Sequence, residues 1–137
     1  MTTPEYQIFS LGSNPKLGNE IAKILGTKLS AIDTRQFADN EIYERIEQTV
    51  RGRDLYVIQG ISDPVNDNFM KLMIFIDAAR RASAKTINVV LPYFGYARAD
   101  RKARSREPIS ARLIANMLEY QGVKRVITIN LHADPVQ

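Results

Sequence analysis

The chain has 137 residues, 45% hydrophobic and 25% charged, the proportions of one soluble globular domain, 1–137, with room for a real core. Lysine and arginine outnumber acids by 19 to 15, and the isoelectric point near 9.5 suits anionic partners such as nucleotides, sugar phosphates or nucleic acid. The absence of cysteine excludes a disulfide framework, a thiolate metal site and a cysteine nucleophile. Met1-Thr-Thr-Pro-Glu5 has neither the basic nor the apolar region of a signal peptide, and no apolar run approaches the ~20 residues of a membrane span. A cytoplasmic protein is expected.

In chain order, strands and helices alternate. Ile8 to Leu11 reads as a strand and Gly12-Ser-Asn-Pro15 as a turn into a helix, with Asn14 as cap and Pro15 at the first helical position. Leu17, Ile21, Ile24 and Leu25 share one face of that helix, and Gly26 stops it. A Gly-Ser-Asn turn before a helix is able to hold an anion, but without a fuller glycine fingerprint an ordinary turn is the better reading. From Lys28 to Val50 the pattern shows short strands and no helix, with a hairpin-like segment near 36–50. Ile42, Ile46 and Val50 alternate there with Tyr43, Arg45 and Glu47, as on a half-exposed strand. Asp39-Asn40-Glu41 just before it has turn chemistry.

Asp54 to Gln59 is a buried strand, and Gly60-Ile-Ser-Asp-Pro64 a loop. Asn66 or Asp67 is expected to cap the longest helix, whose core stripe is Phe69, Leu72, Met73, Ile76 and Ala79. Met70, Ile74 and Phe75 make that helix apolar on a second side, which implies either sandwiching within the fold or a subunit interface. Ile87 to Leu91 is a β-branched strand closed by Pro92. Leu113, Ile114, Met117 and Leu118 mark a further helix with Ser110 as its expected cap, and Lys124 to Asn130 a last strand. Apolar strands alternating with helices imply an α/β fold, a mostly parallel sheet covered on both faces.

Three stretches carry candidate chemistry. Arg98, Arg101, Lys102, Arg104 and Arg106 crowd against one acid, Asp100, in a loop leaving a central strand. Open α/β sheets bind phosphorylated ligands at that position, and guanidinium groups clamp polyphosphate through charge-assisted bonds. An arbitrary basic run is more often a solvated loop, but Tyr93, Phe94 and Tyr96 around Gly95 favour a site. The second stretch is Phe37-Ala-Asp-Asn-Glu41. The third is Leu131-His-Ala133, whose His132 is the only histidine and has Asp134 nearby, able together to hold a divalent ion beside phosphates.

The three motifs, taken in chain order, resemble those of the phosphoribosyl pyrophosphate (PRPP) synthetases, or ribose-phosphate diphosphokinases. The resemblance runs from Ile8 to Gln137 and corresponds to that family's N-terminal domain, less than half of a usual family chain. It implies a phosphoribosyltransferase-like fold, homo-oligomers (hexamers in the family), and transfer of the diphosphoryl group of Mg-ATP to ribose 5-phosphate, giving PRPP and AMP. By the same resemblance Phe37 stacks on adenine, Asp39, Asn40 and Glu41 contact ATP, and Arg98, Ala99, Asp100 and Arg101 belong to the ATP loop. His132 is the implied Mg2+ ligand. Thr49, Arg51 and Ser83 match a regulatory phosphate site, whose bland alternative is an exposed hairpin end and helix terminus. The family's ribose-5-phosphate loop and catalytic lysine have no counterpart in these residues, so no catalytic residue is assigned and the chain alone is expected to be inactive. Three positions depart from the family pattern: Asn40 replaces a glycine, Ala99 a glutamine and Asn130 an aspartate. Two alternatives stay open, a non-catalytic regulatory relative and an RNA- or DNA-binding module using the basic loop.

Overall fold

The computed structural model describes residues 5–130. Four strands, β1 (Tyr6–Ser10), β4 (Asp54–Ile58), β5 (Thr86–Tyr93) and β6 (Arg125–Asn130), form an all-parallel sheet in the order β1-β4-β5-β6. Between β1 and β4 the chain makes helix α1 (Pro15–Leu25) and a separate antiparallel hairpin, β2 (Ile32–Gln36) and β3 (Ile42–Ile46). Helix α2 (Val65–Arg81) joins β4 to β5, and α3 (Ser110–Tyr120) precedes β6. The hairpin thus spans 32–46, earlier than the expected 36–50. Its paired strands begin at Ile32, upstream of the alternating stretch that marks β3.

Strand alternation sorts the core. Phe9, Leu55, Val57, Ile87, Val89 and Leu91 join Phe69, Leu72, Phe75 and Ile76 of α2 and Ile114 and Leu118 of α3 in one buried cluster. Fully burying each such side chain contributes about 1.5–3 kcal/mol, and Phe9 and Phe75 meet at 5.0 Å between ring centroids. The expected α2 stripe is buried throughout. Ile32 and Ile46 of the hairpin also pack on the cluster, and β3 lies against α2. Helix α2 lies between sheet and hairpin, yet of its second apolar side only Phe75 is buried, with Ile74 half-buried and Met70 exposed, so sandwiching accounts for part of that side.

The opposite sheet face is covered less completely than expected. A groove of about 330 Å3 runs between sheet residues Tyr6, Ile8, Tyr56, Ile58 and Val90 and the α1 residues Ile21 and Leu25. Helix α1 approaches the sheet through its small residues: Gly18 and Ala22 are buried, while Ile24 and Leu25 are exposed. A Cβ on Gly18 would stand 2.8 Å from Ser10 Oγ, so that close approach requires glycine. The amphipathic pattern located the helix but not which edge of its apolar face meets the sheet.

The α1 ends are as expected. Asn14 Oδ1 accepts from Leu17 N at 3.1 Å, Pro15 is the first helical residue, and Gly26 ends the helix with φ 68°. The other two expected caps are corrected. Pro64 is the N-cap of α2, which places Asn66 and Asp67 inside its first turn, and Ile109 is the N-cap of α3, with Ser110 already helical. Neither has a side-chain cap bond. Strand β5 also runs through Pro92 to Tyr93 rather than stopping at the proline. Among the described residues no helix is long and apolar enough to cross a membrane.

Candidate active site: a cleft at the carboxyl ends of the central strands

The loops that leave β4 and β5 enclose a cleft of about 890 Å3, lined by Asp63 to Asp67 on one side and Tyr93 to Arg98 on the other. Both strands are interior to the sheet, so the cleft sits where open α/β sheets place their ligands. The amino end of α2 forms one wall and contributes the positive end of its dipole.

Its backbone is held from several sides. Ile61 N donates to Tyr93 O at 2.8 Å, which joins the two loops. Gly95 then passes so close that a Cβ there would lie 2.3 Å from Ile61 O. The absence of a side chain at Gly95 thus serves a close approach to the protein's own backbone. Tyr96 sits in the left-handed region, φ 70°, and its hydroxyl donates to Asn66 Oδ1 across the cleft wall. Ala97 N and Ala99 N donate to Phe94 O and Tyr96 O, and Ala111 N donates to Ala99 O at 3.0 Å, which ties the loop to α3.

Beneath these walls lies a buried amide network. Gln59 is fully buried: its Oε1 accepts from Ser13 N at 3.2 Å and its Nε2 donates to Asn68 O at 3.1 Å. Asn68 Nδ2 in turn donates to Ser62 O, and Gly60 N donates to Ser13 Oγ at 2.7 Å. The Gly12–Asn14 turn therefore uses its polar groups on its own helix and on the β4 loop, as an ordinary turn does.

The basic loop presents its charge outward. Arg98, Arg101, Lys102, Arg104 and Arg106 are all exposed, and among the described residues no ion pair involves them. Arg98 lines the cleft. Glu107 Oε2 is occupied in accepting from the backbone of Ala103 and Arg104.

The second motif forms the β2–β3 turn. Phe37 N donates to Glu41 O and Asn40 N to Phe37 O, each at 2.8 Å, and Glu41 N donates to Asp39 Oδ1 at 3.0 Å. Asn40 has φ 73°, the left-handed conformation that glycine adopts freely and asparagine tolerates. Hydrogen bonding between the Asp39 and Glu41 carboxyl groups holds Asp39 below its ordinary pKa and Glu41 above it. Phe37 is half-exposed, 6.3 Å from the Tyr43 ring, over which Arg35 lies. Gln36 Nε2 reaches Asp67 Oδ2 at 3.2 Å, so the turn abuts the helix that walls the cleft. Phe37, Asp39, Asn40 and Glu41 do not themselves line it.

Of the third candidate group, Arg51 and Ser83 are brought side by side. Arg51 bridges to Ala84, and Gly52 N donates to Ser83 O at 2.9 Å, with Ser83 at φ 67°. Thr49 is exposed nearby in the chain. His132, and Asp134 with it, lie outside the described residues. Asp63, Asn66 and Asp67 are cleft residues that the motif reading did not single out as a site. The signal available was their position in the loop and first helical turn after a buried central strand.

A family model described as the N-terminal domain of ribose phosphate pyrophosphokinase matches residues 6–122. The chain belongs to that family. It is 56% identical over 131 residues to the ribose-phosphate pyrophosphokinase of Bacillus subtilis, covering 96% of this chain and 41% of that one. Ribose-phosphate pyrophosphokinase 2 of Enterococcus faecalis is also 56% identical, over 98% of this chain and 42% of its own. The crystal structure of phosphoribosylpyrophosphate synthetase from Mycobacterium smegmatis superposes with a TM-score of 0.93 at 42% identity, covering 96% of this chain and 44% of that one. The chain thus spans about two-fifths of the curated relatives it matches, and the α/β architecture expected from the family is the one found.

Proposed function

We propose that this chain provides the ATP-binding part of a ribose-phosphate diphosphokinase. In that reaction the 1-hydroxyl oxygen of ribose 5-phosphate bonds to the β-phosphorus of ATP. The bond from that phosphorus to the oxygen bridging to the α-phosphate breaks, AMP departs, and the hydroxyl proton is released. The observation that carries the reading is a cleft at the ends of two interior strands, with Arg98 in its wall and four further cations in the same loop that, among the described residues, form no ion pair.

Phosphoryl transfer depends mostly on positioning and on neutralising charge. Arg98 and Arg101 are assigned to the polyphosphate, the remaining cations to its outer face, and Asp100 and the Ala99 backbone to the same loop. Phe37 offers an exposed ring for adenine, and the Asp39–Glu41 pair offers acceptors for its amino group. The ribose-5-phosphate site and the catalytic lysine are assigned to the part of the family chain that these residues do not span, and with them the complete activity. A homo-oligomer is proposed too, supported by exposed Phe37, Ile24, Leu113 and Tyr120.

Mg2+ accompanying ATP takes most of its ligands from phosphate and water, and one or two protein oxygens complete its shell. Asp63 and Asp67 bring hard carboxylate oxygens to the cleft and fit that need; among the described residues no cluster of three or more ligating side chains exists. His132 is the further candidate. The bound ion would neutralise charge on the phosphates. Calorimetric titration with Mg-ATP at fixed ionic strength tests the reading. Binding in the micromolar-to-millimolar range that is weakened strongly by Arg98→Ala supports it. Equal affinity of the parent and the variant removes the loop as a nucleotide clamp, and tight, salt-sensitive binding of unrelated oligonucleotides in place of ATP favours a nucleic-acid module.

A further inference from the structure

We propose that Glu44 is a positioning residue that seats the β2–β3 hairpin, and with it the Phe37–Glu41 turn, on α2 as a neutral carboxylic acid. Alternation along β3 puts Glu44 between Ile42 and Ile46, on the face turned away from exposed Tyr43 and Arg45. It is 7% exposed, in the strand that packs on α2. Its Oε2 accepts from the Thr34 hydroxyl at 2.7 Å, directly across the β2–β3 ladder. Its Oε1 is buried and, among the described residues, has no hydrogen-bond partner. An ionised carboxylate in this place would have one of its two oxygens removed from water without compensation.

The groups facing it divide. The Thr34 hydroxyl of β2 and Lys71 of α2 favour the anion, while Asp33, on the other face of β2, is a like charge that opposes ionisation. Burial outweighs these and pushes the carboxyl up to about 7. The sign follows from linkage. With the hairpin open, the acid titrates near its ordinary 4.5; seated, it keeps its proton to about 7. The stability of the seat is complete below 4.5, declines between these values, and is lost as pH rises through 7. Other groups that hold the hairpin are the Gln36–Asp67 contact, at the exposed surface, Ile32 and Ile46 at the edge of the core, and the bond from Ser30 N to Ile8 O at its base. The turn begins one residue after Gln36, so the seat sets where Phe37 and the acid pair stand. Only that last link rests on the nucleotide reading.

The test needs no nucleotide, so its failure leaves the proposed function untouched. Amide hydrogen exchange is followed by NMR on the whole chain from pH 5 to 8, corrected for intrinsic rates, with a parallel titration of the Glu44 carboxyl carbon. A Glu44 midpoint near 7 is expected. Protection of β2 and β3 amides should fall about tenfold per pH unit up to that midpoint, while amides of β1, β4 and β5 keep theirs. Glu44→Gln and Glu44→Leu should both give flat profiles, the leucine variant serving if the glutamine variant folds poorly. Lys71→Met should raise the midpoint. A midpoint near 4.5, the same decline in Glu44→Gln, or an equal decline across the parallel sheet would each overturn the proposal.

Discussion

The loop after β5 and the β2–β3 hairpin both carry nucleotide-binding candidates, but they are built in opposite ways. In the loop the backbone is fixed, by Gly95 against Ile61 and by Ala99 against Ala111, and among the described residues its cations form no ion pair. In the hairpin the side chains grip one another: Arg35 pairs with Asp33 at 2.9 Å and lies over Tyr43, and Asp39 is bonded to Glu41. The hairpin as a whole rests on α2. An anion approaching the loop meets cations that need not first be released from acids. A base stacking on the hairpin meets a surface already assembled, whose position depends on its seat.

The largest effect that sharpens this contrast is expected at Gly95. Gly95→Ala forces a Cβ onto Ile61 O and should lower stability by about 1–3 kcal/mol, at the upper end because the obstacle is backbone; urea denaturation measures it. Arg98→Ala should leave stability nearly unchanged and weaken Mg-ATP binding by about 1.5–3 kcal/mol, roughly ten- to a hundredfold, read by calorimetry. A loss of stability equal to that of Gly95→Ala would show that the loop's charges also hold its fold and would break the comparison. Away from both regions, Arg51→Ala should remove up to about 1 kcal/mol of phosphate-induced stabilisation, as for an exposed ion pair, seen as a smaller phosphate-dependent rise in Tm. A comparably small effect is expected at position 99. Ala99→Gln adds an amide beside the polyphosphate and should tighten Mg-ATP binding by about 0.5–1.5 kcal/mol, two- to tenfold. This is best measured in a chain extended to full family length.

Much of the framework is legible in the sequence because single residues with strong local preferences mark it. Asn14, Pro15 and Gly26 delimit α1, and the β-branched runs of β4 and β5 have no helical periodicity. The loop is legible for a different reason: five cations in nine residues are hard to reconcile with anything but an anionic partner or open solvent. What escaped depends on tertiary packing. Asn66 and Asp67 have the chemistry of caps, yet Pro64 opens α2 and carries both into its first turn, where they line the cleft. Ile24 and Leu25 fit the amphipathic face of α1 but stay exposed, because the helix closes on the sheet through Gly18. Glu44 was hidden by its own charge, since an acid in an alternating strand reads as outward-facing and only the position of α2 shows otherwise. The separation of the Phe37 turn from the cleft is likewise a matter of tertiary placement, to which motif order is blind.

The Gln59 amide under the cleft has a practical consequence. Its nitrogen donates to Asn68, its oxygen is engaged by Ser13, and the side chain is sealed from solvent. The carboxamide protons of this one glutamine should therefore exchange slowly and resonate apart from those of its exposed counterparts. They form a built-in spectroscopic reporter, positioned where the turn before α1, the loop after β4 and the start of α2 converge. A ligand that enters the cleft without disturbing its floor would leave that signal in place, and one that pries the walls apart would broaden or shift it.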